Sequence, residues 1–301
     1  STPTPDQGKF WTILQAWYQG LWNGPLIIFM VQMMLILVLG HALALAPVVN
    51  GLIKKIMGFS NNPATLTALV CFFTLWVAFF NWGLGLIFGA IMARKTGEHL
   101  SNLGKKFNYG VVGAAGYSGL MVWHGGISGS APIKVAETGH LKNMVTANLP
   151  AEYLAAVPER LGFEETIFSG MNLTASAMLL VFLPLLAWWL AKKAPVKQQY
   201  FNSASAESEP ELEPAFGAEK IDSSKGLGLL VGLAFITMAF LLAWQEEGLS
   251  FITPNFINFT LLGLALAFHR SFQSFLNAID EAISGAAGIL IQLPRYFGIM
   301  G

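Results

Sequence analysis

The chain has 301 residues, 54% of them hydrophobic and only 11% charged, and its seventeen basic residues balance seventeen acidic ones. So apolar a composition excludes an ordinary soluble globule, and the lack of a net positive field excludes nucleic acid as a partner. A single cysteine, Cys71, excludes an intrachain disulfide and a cysteine-built zinc site, and no metal is expected.

Crossing about 30 Å of hydrocarbon takes roughly 20 apolar residues of helix. Within residues 1–25, Phe10, Trp11, Leu14, Trp17, Tyr18, Leu21 and Trp22 recur at helical spacing. This stripe predicts an amphipathic helix in the headgroup region, or equally one packed on protein. A membrane bundle is predicted over 26–193, with spans at about 26–46, 66–93, 109–131 and 172–191. The segment 194–226, rich in Ser, Pro and Glu from Ser203 to Pro214, predicts a flexible cytoplasmic linker. Residues 227–301 hold spans at about 227–244 and 251–268, the latter containing Pro254. A surface helix over 270–284 follows, striped by Phe272, Phe275, Leu276, Ile279 and Ile283, and a further span opens at 285. The chain opens without a basic leader and reaches Gly301 inside an apolar stretch, so it reads as part of a longer protein.

The fold class is therefore an all-α membrane protein, a multi-span helical bundle with discontinuous helices whose partner is the lipid bilayer. Runs this long, without alternation, are not β-barrel strands. With the N-terminus cytoplasmic, eleven basic residues fall inside: Lys9, Arg94, Lys95, Lys105, Lys106, Lys192, Lys193, Lys197, Lys220, Lys225 and Arg270. Five fall outside, Lys54, Lys55, Lys134, Lys142 and Arg160, and the pair Lys54-Lys55 fits worst.

A plain anchor would have uniform spans, so the residues that spoil the pattern carry the functional information. Gln32 and Gly40-His41 interrupt the first span; His41 is either a neutral imidazole bonded between helices or a group that couples to proton or ion movement. Asn81-Trp82-Gly83 with Gly85 weakens the second span, as a break lining a cavity or as a tight packing seam. In the third, Gly110, Gly113, Gly116 and Gly119 suit close backbone approach. Then Trp123-His124-Gly125-Gly126-Ile127-Ser128-Gly129-Ser130-Ala131-Pro132 makes a continuous helix untenable at membrane depth, unless 125–132 is already an extracellular loop. A broken helix offers N–H groups to a carboxylate and carbonyls to Na⁺, without any arginine. Ser128 and Ser130 add hydroxyls.

Gly126-Ile127-Ser128-Gly129 also matches the G-x-S-G pattern of rhomboid-type intramembrane serine proteases, with His41 as the base that a hydrolase would need beside Ser128. A non-transporting membrane scaffold is the third reading. No phosphate-binding loop supports ATP-driven transport, and no carboxylate lies well inside the spans at 26–46, 66–93, 109–131, 172–191 and 227–244 to support a carboxylate-based proton pump.

The ordered set Gly40-His41-Ala42-Leu43, Asn81-Trp82-Gly83 with Gly85, Gly125-Gly126 through Ser128-Gly129-Ser130 and Pro132, Phe168-Ser169-Gly170 with Asn172, and Ala287-Gly288-Ile289-Leu290 with Gln292 and Pro294 resembles the bacterial short-chain fatty acid transporter family. The resemblance runs from about residue 20 to the end, and Arg295 departs from it. It implies a multi-pass inner-membrane permease for short-chain acids such as butyrate or acetoacetate, within an ion-transporter superfamily of inverted repeats. Family chains continue past the equivalent of Gly301, so these residues are expected to hold one half of the site. The expected substrate site is Ser128, Ser130, Gly125, Gly126, Gly129, Asn81 and Trp82; Na⁺ or H⁺ is the expected coupling ion, with His41 and His124 its candidate residues. No other cofactor and no catalytic residue is expected, and self-association into a homo-oligomer stays open.

Overall fold

The structure, a computed structural model, describes residues 8–146, 150–196, 217, 219–246 and 248–300. Its regular elements are all helical, in the order α1 (Lys9–Leu21), α2 (Gly24–Leu45), α3 (Pro47–Met57), α4 (Pro63–Phe80), α5 (Trp82–Asn102) and α6 (Tyr109–Tyr117). Two 3-10 turns, Ser118–Met121 and Trp123–Gly125, lead to α7 (Ser130–Ala136), α8 (His140–Val145) and α9 (Ala151–Leu154). Then come α10 (Gly170–Lys193), α11 (Glu219–Asp222), α12 (Lys225–Gln245), α13 (Pro254–His269) and α14 (Phe272–Met300). Among the described residues α2, α4, α10, α12 and α14 are long and apolar enough to cross a membrane.

The starts of these helices are written in the sequence. Asn23, Asn62 and Thr253 each accept an N–H of the first turn, and a proline stands at the head of α2, α4 and α13. A short polar side chain satisfies a donor that lipid would leave bare, and proline needs none. α2 is the central helix, packed along α5, α13 and α14. α10 and α12 carry exposed Phe182, Leu185, Trp189, Leu230, Phe240 and Trp244 on their outer faces, the side a bilayer solvates.

The run 66–93 is two helices instead of one. The chain reverses at the single extended residue Asn81, so α4 and α5 form an antiparallel hairpin. Glycines allow the close approach: a Cβ on Gly85 would meet Ala78 Cα at 2.5 Å. The hairpin tip abuts the interior of α2, where a Cβ on Gly40 would lie 2.7 Å from Leu84 N and one on Gly83 2.9 Å from Leu37 Cα. Since Leu37 and Gly40 fall well inside a helix long enough to span, the tip reaches membrane depth.

Other segments also differ from expectation. The run 109–131 breaks into α6, the two turns, extended backbone and the start of α7, because Gly125, Gly126 and Gly129 do not sustain a helix. Of its earlier glycines, Gly116 and Gly119 pack tightly on Gly89 and on Ala78 and Thr74, whereas Gly113 has open space. The surface helix 270–284 and the span from 285 are one helix, α14, because nothing between Ser284 and Gly288 breaks it and Ala282 and Ala286 pack, fully buried, on Val38. Asp280 and Glu281 therefore lie within a helix of spanning length. α13 begins at Pro254, with 251–253 outside it. α1 is a single helix whose aromatic side chains are largely exposed, and it packs on α14 through Trp17 against Gly298. Of the predicted linker 194–226, residues 197–216 and 218 lie outside the described residues.

The hairpin changes which loops share an end. His269 Nε2–H, at the end of α13, donates to Ala42 O near the end of α2 (2.7 Å) and its Nδ1 accepts from Ser274 Oγ (2.9 Å). Gln32 O accepts from Asn258 Nδ2 at 3.0 Å, so α2 and α13 run parallel and His41 and His269 lie at one end, not at opposite ends as the count of uninterrupted spans implied. The ends of α5 and α10 lie with the start of α4, and the end of α13 lies beside the end of α2 and the start of α12, so Lys54, Lys55, Arg94, Lys95, Lys105, Lys106, Lys192, Lys193, Lys220, Lys225 and Arg270 all fall towards the end to which α2 runs. Lys9, Lys134, Lys142 and Arg160 lie at the other, with α1, the starts of α2 and α13, and the segment α7–α9.

Candidate functional site: the junction of two chain breaks

The hairpin tip, where Asn81 alone leaves the helical conformation, meets here the break at Trp123–Ser130. Each satisfies the backbone that the other leaves bare. Ile127 N–H donates to Phe79 O (2.8 Å), and Trp82 N–H donates to Ser128 Oγ (2.8 Å). Asn81 turns the chain and caps α5, its Oδ1 accepting from Leu84 N at 2.7 Å. Within the break, Gly125 N–H, Gly126 N–H and Gly129 N–H donate to Val122 O, Trp123 O and Gly126 O. Irregular backbone at this depth persists because nearly every polar group finds such a partner.

A third element clamps the pair. Asn172 Nδ2 donates to Gly125 O (2.9 Å) and to Ile167 O (2.7 Å), while Ser169 caps α10 just ahead of it. Gly126 is a glycine for reasons of space: a Cβ there would stand 2.5 Å from Phe79 O.

The junction borders a cavity of about 190 Å³ lined by Phe29, Met33, Trp82, Trp123, Ser130, Ile289, Gln292 and Leu293. Trp82 and Trp123 stack face to face, their rings 4.9 Å apart and 18° from parallel, and His124 stacks on Trp123 at 4.8 Å. Asn81 Nδ2, Trp82 Nε1 and Trp123 Nε1 are buried and have no acceptor among the described residues. Trp82 and Trp123 line the cavity and Asn81 precedes Trp82 in the chain, so these donors form a site that an acceptor would complete, since each unpaired buried donor costs about 1–3 kcal/mol.

The expected site residues fall into two groups. Trp82 and Ser130 come together on the cavity wall, and Asn81 is the buried residue just before Trp82. Ser128 is fully buried and its oxygen already accepts from Trp82 N–H, so it fastens the tip to the break. Gly125, Gly126 and Gly129 shape the break, but their N–H groups are spent within the protein. His124 belongs to the aromatic stack, whereas His41 sits farther along α2, within electrostatic range of Glu281. Trp123, Asn172, Phe29, Met33 and Gln292 were given no site role by the sequence; Trp123, Asn172 and Gln292 stood within the motifs above and could have been flagged, but Phe29 and Met33 look like ordinary span residues.

With this geometry in hand, the sequence profile of the short chain fatty acid transporter family matches residues 5–301. The chain belongs to the short-chain fatty acid transporter family. Two relatives named "Putative short-chain fatty acid transporter" are similar to it. That of Escherichia coli is 29% identical over 295 residues, covering 96% of this chain and 62% of the relative. That of Haemophilus influenzae is 29% identical over 306 residues, covering 95% and 62%. The chain thus spans about 62% of the length of these relatives. No solved structure matches it.

As a short-chain fatty acid transporter family member with several helices of spanning length, the chain is a multi-pass helical membrane protein. The Ser128 oxygen, the nucleophile of the hydrolase alternative, is engaged as the acceptor of Trp82 N–H. Ser128→Ala is accordingly expected to act on stability. Losing its oxygen leaves a buried Trp82 N–H unpaired, at a cost of about 1–3 kcal/mol, which a lowered melting temperature of the purified protein would register. An unchanged melting temperature would contradict the fastening role.

Proposed function

We propose that the full-length protein is a secondary transporter of short-chain monocarboxylates across the inner membrane, and that the carboxylate binds at the junction of the two breaks. The observation that carries this reading is the unpaired indole N–H groups of Trp82 and Trp123, two residues that line the cavity, with the unpaired Asn81 Nδ2 next to Trp82 in the chain. The indole and amide N–H groups, with the Ser130 hydroxyl, hold the two carboxylate oxygens by charge-assisted hydrogen bonds. Phe29, Met33, Ile289 and Leu293 take the alkyl chain. A cavity of about 190 Å³ lies below the roughly 300–1,000 Å³ of drug-sized sites and suits a few carbons. The names of the relatives point to the same substrate class. Saturable uptake of labelled butyrate by the full-length protein, competed by propionate and not by butyramide, is the expected result; no saturable uptake of any short monocarboxylate defeats the reading.

Na⁺ or H⁺ drives the movement, and His124, not His41, is the histidine placed to couple it, because it stacks on Trp123 beside the cavity. If butyrate uptake by His124→Gln still responds fully to an imposed proton gradient, His124 has no such role. The basic end of the bundle, with Lys54, Lys55 and the lysines of 95–106, faces the cytoplasm. The N-terminal helix and the cavity mouth then face outward, and a membrane-impermeant thiol reagent applied to intact cells should label Lys9→Cys and spare Lys54→Cys. The reverse pattern rules this orientation out.

A further inference from the structure

Every residue that lines the cavity is uncharged, so an arriving carboxylate would leave water with no cation inside to receive it. A cation stands at the rim. Ser130, which lines the cavity, opens α7, and Lys134 lies one turn later on the same side of that helix. Its Nζ sits 5.0 Å from the ring centroid of Phe29, itself a wall of the cavity. Both carboxylate oxygens of Glu137 accept from it at 3.0 Å.

The Lys134 side chain is only 19% exposed, unusual cover for a residue type that ordinarily lies in water. Among the other charged groups, Arg295 stands one turn past Gln292 on α14 and is exposed, whereas Lys134 is held over a wall of the cavity. His140 is half-buried, and its burial and the Lys134 charge, opposed by Glu137, lower its pKa below the usual histidine value, so it is neutral at neutral pH. Arg160 lines a separate cavity of about 80 Å³, together with Glu137 and Glu164.

The geometry points to Lys134 as the entry residue for the transported anion, poised over Phe29 and released from Glu137 by the incoming carboxylate. This rests on the transport reading above. Glu137 is suited to the exchange because a partly solvated ion pair contributes little and parts readily. The anion takes the place of Glu137 at Nζ, passes the Phe29 ring, and reaches the N–H donors of Trp82, Trp123 and Asn81. Phe29 keeps the ammonium at the rim while the carboxylate moves on.

Butyrate uptake kinetics in proteoliposomes of the full-length protein test this. Because steering acts on encounter, Lys134→Gln is expected to raise KM about tenfold, leave kcat near wild type, and flatten the dependence of KM on ionic strength. Lys134→Arg should retain wild-type KM and salt dependence, and Glu137→Gln should lower KM. A structural role alone would lower kcat or yield and leave the salt dependence intact. If wild type transports and Lys134→Gln keeps its KM and salt dependence, this inference fails alone; if wild type shows no saturable uptake of short monocarboxylates, the transport reading fails with it.

Discussion

Replacing Asn81 with aspartate is expected to abolish most uptake by the full-length protein while leaving the bundle folded. The two faces of this side chain do different work. Its Oδ1 caps α5 through Leu84 N–H, and a carboxylate caps a helix equally well. Its Nδ2 has no acceptor among the described residues and is one of the donors assigned to the substrate. Aspartate keeps the first role and turns the second from attraction into repulsion. Losing a hydrogen bond to a charged group removes about 1.5–3 kcal/mol, and the repulsion adds to that, so kcat/KM should fall about a hundredfold or more. The melting temperature should stay near wild type, which distinguishes this change from Asn81→Ala, where the cap is lost too. Wild-type kcat/KM in Asn81→Asp would remove Asn81 from the site.

Gly126→Val is expected to cost the folded protein itself. Gly126 has extended backbone that any residue can adopt, so the requirement is room, not conformation. A Cβ would stand 2.5 Å from Phe79 O and 3.1 Å from Phe79 C, both backbone atoms that cannot rotate away. Relieving the overlap separates the hairpin tip from the break and removes the acceptors of Ile127 N–H and Trp82 N–H. Overpacking costs about 1–3 kcal/mol and each orphaned buried donor about as much again, comparable to the whole stability of many domains. Little or no monodisperse protein should elute on size-exclusion chromatography. Gly113→Ala is the control, since nothing lies within 4 Å of a Cβ there and alanine favours the helix; it should behave as wild type or slightly better. Equal yields from both variants would contradict the docking of the two breaks.

These residues also show how far the sequence could be read. Caps and prolines mark the starts of α2, α4 and α13, and glycines with serines mark the break at 125–130, because each is a local requirement of backbone geometry. The reversal at Asn81 was harder to see, since apolar residues continue on both sides and a single extended residue makes the turn. Its trace was indirect: 66–93 is long for one span, and Lys54-Lys55 sat awkwardly on the outer side of a topology that counted no hairpin. Once α4 and α5 are folded together, those lysines join the other basic residues. The continuity of α14 was hidden because its first turns carry Asp280 and Glu281, as a surface helix would. At the site, Asn81, Trp82 and Ser130 were legible as polar or bulky residues where a plain span needs none. Phe29, Met33, Ile289 and Leu293 were not, because they are common span residues whose place in a cavity wall is set by the packing of α2 against α14. Nor could sequence distribute roles between Ser128 and Ser130, two positions apart, since only the fold decides that one faces a backbone N–H and the other the cavity.

The chain offers a direct reporter for that cavity. Cys71 is buried at 1% exposure, so Ser130→Cys adds an accessible thiol at the site without competition from it. The decisive measurement is the rate at which a small methanethiosulfonate reagent modifies Ser130→Cys in the full-length protein, with any accessible cysteine outside these residues replaced. Saturating butyrate should slow that rate in a concentration-dependent way, with butyramide at the same concentration having no effect. A rate indifferent to butyrate, in a protein that takes butyrate up, would place the carboxylate elsewhere.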